Sequence, residues 1–222
     1  ADDLVSMLEK ALPYLFVSKE LKGSESLQGN LRRPESSKES SILDSLAKVS
    51  LELADACSSN DVKVINLYAD KKGKLDTEEL DTLCADHVID VTYQYFLVNI
   101  IAYDTDQDLT FSGYKMTVSG EEVIYDEETL PGDILYNFVA QKDDKCVAYE
   151  GKLTLENEHG LQGTYLAPKA EVKISSNLAG SVYADRIVLG ESVNELLQIR
   201  YIDGLTPEDI AIASEADAEP GP

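Results

Sequence analysis

The sequence predicts an α+β protein: a mainly helical region over residues 1–86, an antiparallel β-sandwich or barrel over 87–205, and a short helix with an acidic tail over 206–222. Three observations point there. Apolar residues recur at helical spacing in the first part and at period two in the second. Ten of the twelve tyrosines follow residue 86, where β-favouring side chains gather. Strand-like runs then succeed one another every ~8–12 residues, the spacing of a sandwich or barrel.

Each element has its own rationale. Leu4, Leu8, Leu12 and Leu15 form one apolar stripe behind Asp2 and Asp3, so a helix is expected over 3–21, kinked at Pro13. Residues 22–41 are rich in Ser, Gly and Glu with little to bury, which predicts a mobile linker. Ser41 and Asp44 open a second helix carrying Ile42, Leu46, Val49, Leu53 and Ala56. Val62 to Tyr68 reads as a strand and Asp70 to Lys74 as a turn. Asp76 with Glu79 reads as a capping box over Leu80 and Leu83.

From residue 87 onward strands are expected throughout. Tyr93 to Tyr103 is apolar on both parities, as in a central strand covered on two sides. Along 108–118 the apolar parity changes at Ser112-Gly113, which predicts a β-bulge. Further strands are expected at 123–125, 134–139, 147–155, 160–166, 172–174, 182–189 and 196–202, with 147–155 a half-buried antiparallel one. No internal repeat of fixed period is present. Thr206-Pro207-Glu208-Asp209 begins the short C-terminal helix, and residues 215–222 form the tail.

Composition narrows the function. The net charge is −23 and the pI about 4.3. Residues 87–222 hold 25 acids against 8 bases, while residues 1–86 hold 17 against 11. Such a surface repels polyphosphate, which argues against nucleic acid or an anionic membrane and favours cations or basic surfaces. Cys57, Cys84 and Cys146 form no metal or redox motif, and their odd number leaves at least one thiol unpaired. No apolar run reaches the ~18 residues of a membrane helix. The opening Ala1-Asp2-Asp3 resembles a mature secreted chain, so an extracytoplasmic location, secreted or periplasmic, is expected.

Asp104, Asp106 and Asp108 are candidate calcium ligands, because alternate carboxylates in a tight loop converge on one hard cation. Leu109 and Lys115 stand where an EF-hand needs Gly and Glu, so the alternatives are a noncanonical site or a plain polar turn. Asp126-Glu127-Glu128 and Asp143-Asp144 could supply a glycosidase carboxylate pair. His87 and His159 are the only imidazoles, and no nucleophile, nucleotide or zinc motif accompanies them, so no catalytic residue and no certain cofactor is assigned. The strand tyrosines fit a sugar-stacking or ligand-binding face, or a half-buried sheet margin. The function these features favour is a noncatalytic binding or assembly protein that meets a protein partner or its own copies, with calcium as a candidate cofactor. The alternatives are a lipocalin-like carrier of a small apolar ligand and a carbohydrate-active hydrolase using turn carboxylates.

Overall fold

Residues that are apolar on both parities of a strand need cover on both sides, and parallel sheets supply it. Phe96 to Ala102 and Ile134 to Ala140 are buried at every position. A computed structural model describes residues 15–23, 31–32, 37–59, 62–84, 88–90, 95–118, 121–122 and 134–198. Strand exceeds helix by 54% to 13%, and eleven strands join one sheet in which every pairing but one is parallel. This overturns the expected helical region followed by an antiparallel sandwich or barrel, and with it the lipocalin-like barrel. Period two is common to both kinds of sheet, so alternation does not reveal strand direction.

The chain coils, and successive coils stack their strands in register. The first wall contains β3 (Val62–Tyr68), β5 (Tyr95–Ala102) and β9 (Ile134–Lys142). It continues into the leading halves of β12 (Leu161–Ile174), β13 (Leu178–Leu189) and β1 (Leu15–Lys22). One rung runs Val98, Tyr136, Tyr165, Val182, Leu15. The second wall contains β6 (Leu109–Phe111), β11 (Lys152–Leu155) and the trailing halves of β12, β13 and β1, with a rung Leu109, Leu153, Val172, Ile187, Leu21. The long strands turn the corner at register shifts, between Ala167 and Glu171 in β12 and between Val17 and Glu20 in β1. The result is a parallel β-solenoid.

Smaller strands complete the described part. β2 (Leu31–Arg32) pairs with β1, β14 (Leu196–Gln198) with β13, and β10 (Lys145–Ala148) forms the antiparallel hairpin with β9. β4 (Val88–Asp90), β7 (Lys115–Val118) and β8 (Glu121–Glu122) make a separate three-stranded sheet. Helix α1 spans Ser37–Ala54 and α2 spans Glu78–Thr82. Strands from either side of residue 86 thus share one sheet.

Between the walls lies an apolar core with an aromatic column at its centre. Tyr136 stacks on Tyr165 at 4.9 Å, and Phe111 meets Tyr136 and Phe138 edge-on at 5.0 and 5.8 Å. The ring of Tyr136 fits because Gly163, at φ 100°, leaves space: a Cβ there would stand 3.1 Å from a Tyr136 ring carbon. The buried hydroxyls have partners. Tyr136 accepts from the Tyr114 N–H, and Tyr165 donates to the Gln162 carbonyl.

The outer face of the first wall is covered by α1. Leu43, Leu46 and Leu53 pack on Val64, Leu97, Leu135, Leu166 and Tyr183. Within this apolar layer Asn66, Asn99 and Asn137 occupy one rung. The Asn137 amide donates to Asn99 Oδ1 at 2.9 Å, and the Asn99 amide to Asn66 Oδ1 at 3.1 Å. The same amides reach the helix. Asn99 donates to the Leu53 carbonyl and Asn137 to the Ser50 carbonyl, each at 2.9 Å, while the Ser50 hydroxyl donates to Asn137 Oδ1.

Several expected elements take other forms. Leu15 to Leu21, placed at the end of the first predicted helix, belong to strand β1, because pairing with β13 and burial of Val17 outweigh the leucine spacing; residues 1–14 lie outside the described part. The predicted linker contributes Lys22 and β2 to the sheet and Ser37 to the start of α1. The parity change at Ser112-Gly113 is a corner between β6 and β7 rather than a bulge. The single strand expected over 147–155 is two, β10 and β11, turning through Tyr149 to Gly151. Conversely, 160–166 and 172–174 are one strand, β12. Residues 123–125 and 199–222 lie outside the described part.

Replacing Asn137→Ala strands the Ser50 hydroxyl and Asn99 Oδ1 in a buried layer, and urea titration is expected to show a loss of about 3 kcal/mol. Gly180→Ala would bring a Cβ to 1.9 Å from the Gly163 carbonyl oxygen at φ 155°, and the same measurement is expected to show at least about 3 kcal/mol.

Candidate interaction surface

Where the two walls meet, the corner loops lie on one another. In the turn after β3, Asp70 Oδ1 accepts from the backbone N–H groups of Lys72 and Lys74 at 2.8 and 3.0 Å, and Gly73 takes φ 81°. On the next coil Gln107 donates its amide to the Asp70 carbonyl at 2.8 Å and accepts from the Tyr103 N–H at 2.9 Å. The coil after that contributes Tyr149, whose hydroxyl donates to the Gln107 carbonyl at 2.6 Å. Gln107 therefore links three corners, a role its place between two aspartates did not suggest.

Asp104, Asp106 and Asp108 are exposed, and among the described residues no group of three His, Cys, Asp or Glu side chains is placed to hold a metal ion. Asp143 and Asp144 form the tight turn of the β9–β10 hairpin, both with positive φ, at 52° and 62°. Asp126, Glu127, Glu128 and His87 lie outside the described residues. His159 is exposed in a turn, 3.2 Å from the Glu158 carboxylate. Cys57, Cys84 and Cys146 form no disulfide. Among the described residues no helix is long and apolar enough to cross a membrane.

Most described tyrosines are structural. Tyr114, Tyr136, Tyr149, Tyr165 and Tyr183 are buried. Tyr68 and Tyr103 are 54% and 43% exposed, and with Leu83 they are the large apolar side chains that the described surface shows to solvent. They lie close in the stack, since Tyr103 follows by two residues Ile101, the register partner of Tyr68. Lys71 Nζ sits over the Tyr103 ring, 5.7 Å from its centroid, a cation–π contact.

Tyr68 forms one wall of a shallow cleft of about 820 Å³ floored by Ala69 and Leu75. Asp76, Thr77, Glu78 and Asp81, from α2 and the residues before it, also line it. That short helix is pinned by buried Leu80 and by Asp81, which accepts from the Tyr114 hydroxyl at 2.9 Å and from the Thr77 hydroxyl at 2.6 Å. The expected capping box is not formed: Thr77 is the N-cap and makes no side-chain cap bond, while Asp76 accepts from the Glu78 N–H. Burial, reinforced by Asp81, holds the Tyr114 phenol far above its ordinary range and pushes the Cys84 thiol up to about 11.

The outward edge of β3 beside this cleft is closed to an added strand. The Ser59 hydroxyl and N–H bond Val62, the Ser58 hydroxyl bonds both backbone groups of Val64, and the Asp76 N–H donates to the Tyr68 carbonyl. Anything docking here meets side chains, not a free ladder.

Two other surfaces differ in character. A groove of about 520 Å³ crosses the corners at 157–162 and 175–179 and is lined by the hydroxyls of Ser175, Ser176 and Ser192, by amides, by the His159 imidazole and by the carboxylates of Glu158 and Glu195. The outer side of the second wall bears a rung of alternating charge, Lys152, Glu171, Arg186 and Glu20, whose neighbours offset one another.

A family model described as "Putative Ice-binding-like adhesive domain" matches residues 23–195, which include every strand of both walls except β1. No curated protein and no solved structure matches the chain.

Two outcomes follow for the site. Because the Cys84 thiol is raised from about 9 to about 11, its thiolate at pH 8 is scarcer than that of an ordinary cysteine. Alkylation of Cys84 followed by mass spectrometry is expected to run roughly ten- to a hundredfold slower than in the urea-unfolded chain. With Asp104, Asp106 and Asp108 exposed and not grouped to hold an ion, thermal melts with millimolar calcium and with chelator are expected to coincide.

Proposed function

The chain belongs to the ice-binding-like adhesive domain family, and from that membership we propose that it is a noncatalytic adhesive domain acting outside the cytoplasm, attaching to a protein partner or to copies of itself. The family match over most of the solenoid is the observation that carries this reading. The architecture supports it: the space between the walls is filled by packed rings, so the chain presents rigid outer surfaces rather than an enclosed chamber. His159 and the Asp143-Asp144 turn lie on separate exposed turns, an arrangement that supports binding rather than paired-carboxylate hydrolysis. The acidic charge suits contact with basic surfaces and slows association with anionic ones.

Beads coated with the chain are expected to be retained on a protein-coated surface or on one another in physiological salt more strongly than beads bearing an inert protein of equal net charge. Retention equal to that control would overturn the adhesive reading, and release of reducing ends from a polysaccharide panel would overturn its noncatalytic part.

A further inference from the structure

Within that adhesive reading, on which this inference rests, we infer that the outer face of the second wall is where the chain meets a second copy of itself, the two faces being related by a two-fold axis that runs along the strands. The side chains there stand in two rows, because the strands are parallel and in register. One row runs Lys152, Glu171, Arg186, Glu20, and the next runs Thr154, Lys173, Val188, Lys22. Their inward neighbours Leu153, Val172 and Ile187 are buried, whereas Lys152, Lys173, Arg186 and Lys22 are exposed. A net charge of −23 opposes self-association, yet these two rows hold four bases and two acids. Here the excess of acid that repels a second copy is reversed.

The order of charges in the first row selects the partner. It alternates, with a base at one end and an acid at the other, so a rotation that reverses it brings every base against an acid. With the axis between β12 and β13, Lys152 faces the second copy's Glu20 and Glu171 faces its Arg186, and each pairing occurs twice. In the second row Thr154 faces Lys22 and Lys173 faces Val188, so no like charges meet. A slip of one strand would set Lys152 against Arg186, so the charges also fix the register. A two-fold axis along the stack instead would leave Lys152 and Arg186 opposite Thr154 and Val188. It would also draw on Lys22, whose Nζ already lies 3.4 Å from Glu20 Oε1. The patch spans about 20 Å across four strands and about 10 Å along them, far below the ~800 Å² per partner of a stable dimer. Exposed ion pairs each add little. One pair of copies therefore parts readily, and the face holds where many copies act together.

The test uses beads coated with the full chain and scored for bead-to-bead clustering in physiological salt. Lys152→Glu and Glu20→Lys are each expected to reduce clustering of like with like at least about fivefold, since each sets two like-charge pairs face to face. The first lowers the net charge and the second raises it, so a loss in both is no general charge effect. Mixing beads of one variant with beads of the other is expected to restore clustering to within about twofold of the parent, because Glu meets Lys again at both positions. Lys48→Glu, at an exposed position on α1, changes the charge equally and is expected to cluster as the parent does. Should either variant fail to fold, Glu171→Lys mixed with Arg186→Glu reads the inner pairs in the same way. A Glu20→Lys variant that clusters better than the parent, or mixed variants that stay apart, would overturn the pairing. Parent beads that bind a protein-coated surface but not one another would overturn it too, while leaving the adhesive reading standing; parent beads that adhere to neither would remove both.

Discussion

The structure depends on keeping the first wall dry on both sides. One side faces the aromatic column and the other faces α1, and a parallel sheet of this kind has no solvated face on which to place an unpaired polar group. Asn66, Asn99 and Asn137 solve a specific part of that problem. Their amides bond to one another along the stack and also to the carbonyls of Ser50 and Leu53, so the helix is held by directional bonds as well as by leucines. Apolar contacts alone would tolerate a sliding helix; a buried amide whose partner moves loses its hydrogen bond and its solvation together. The same rung fixes register between coils, since a slip of one residue would send the asparagines into the core and leave Val98 and Tyr136 facing the helix.

The sequence made some of this legible. The leucine spacing of α1 and the strand of Val62 to Tyr68 needed only local periodicity, and the two-sided apolar run of β5 announced a covered strand. The same two-sided pattern recurs in β9 and at the start of β12, and taken together those runs mark a parallel sheet. What concealed the coil was its irregular length. Val62 pairs with Tyr95, Phe96 with Ile134, Leu135 with Thr164 and Thr164 with Ser181, offsets of 33, 38, 29 and 17 residues. A stack built of unequal coils leaves no period to find, although each rung is in register.

The interaction surface was less legible. The tyrosines were numerous, but only burial separates Tyr136 and Tyr165, which build the column, from Tyr68 and Tyr103, which face water. The acidic spacing of Asp104, Asp106 and Asp108 drew attention to a loop whose organising residue is the neutral Gln107 between them. The place of Ser58 and Ser59 on the edge of β3 follows from the strand having a neighbour on one side alone, which no local pattern encodes.

β1 lies beside β13, so one of the earliest described segments completes the sheet next to one of the latest. During synthesis the growing chain can stack β3, β5, β9 and β12 in order, yet the seat for β1 does not exist until Leu178 to Leu189 has emerged. Until then Val17 and its neighbours have nowhere to bury, and closure over so long a stretch of sequence is a slow step. A nascent chain that stays open until β13 is made remains unlocked for as long as that strand is still to come. Once β1 docks, a segment made early becomes the fastener for one made late.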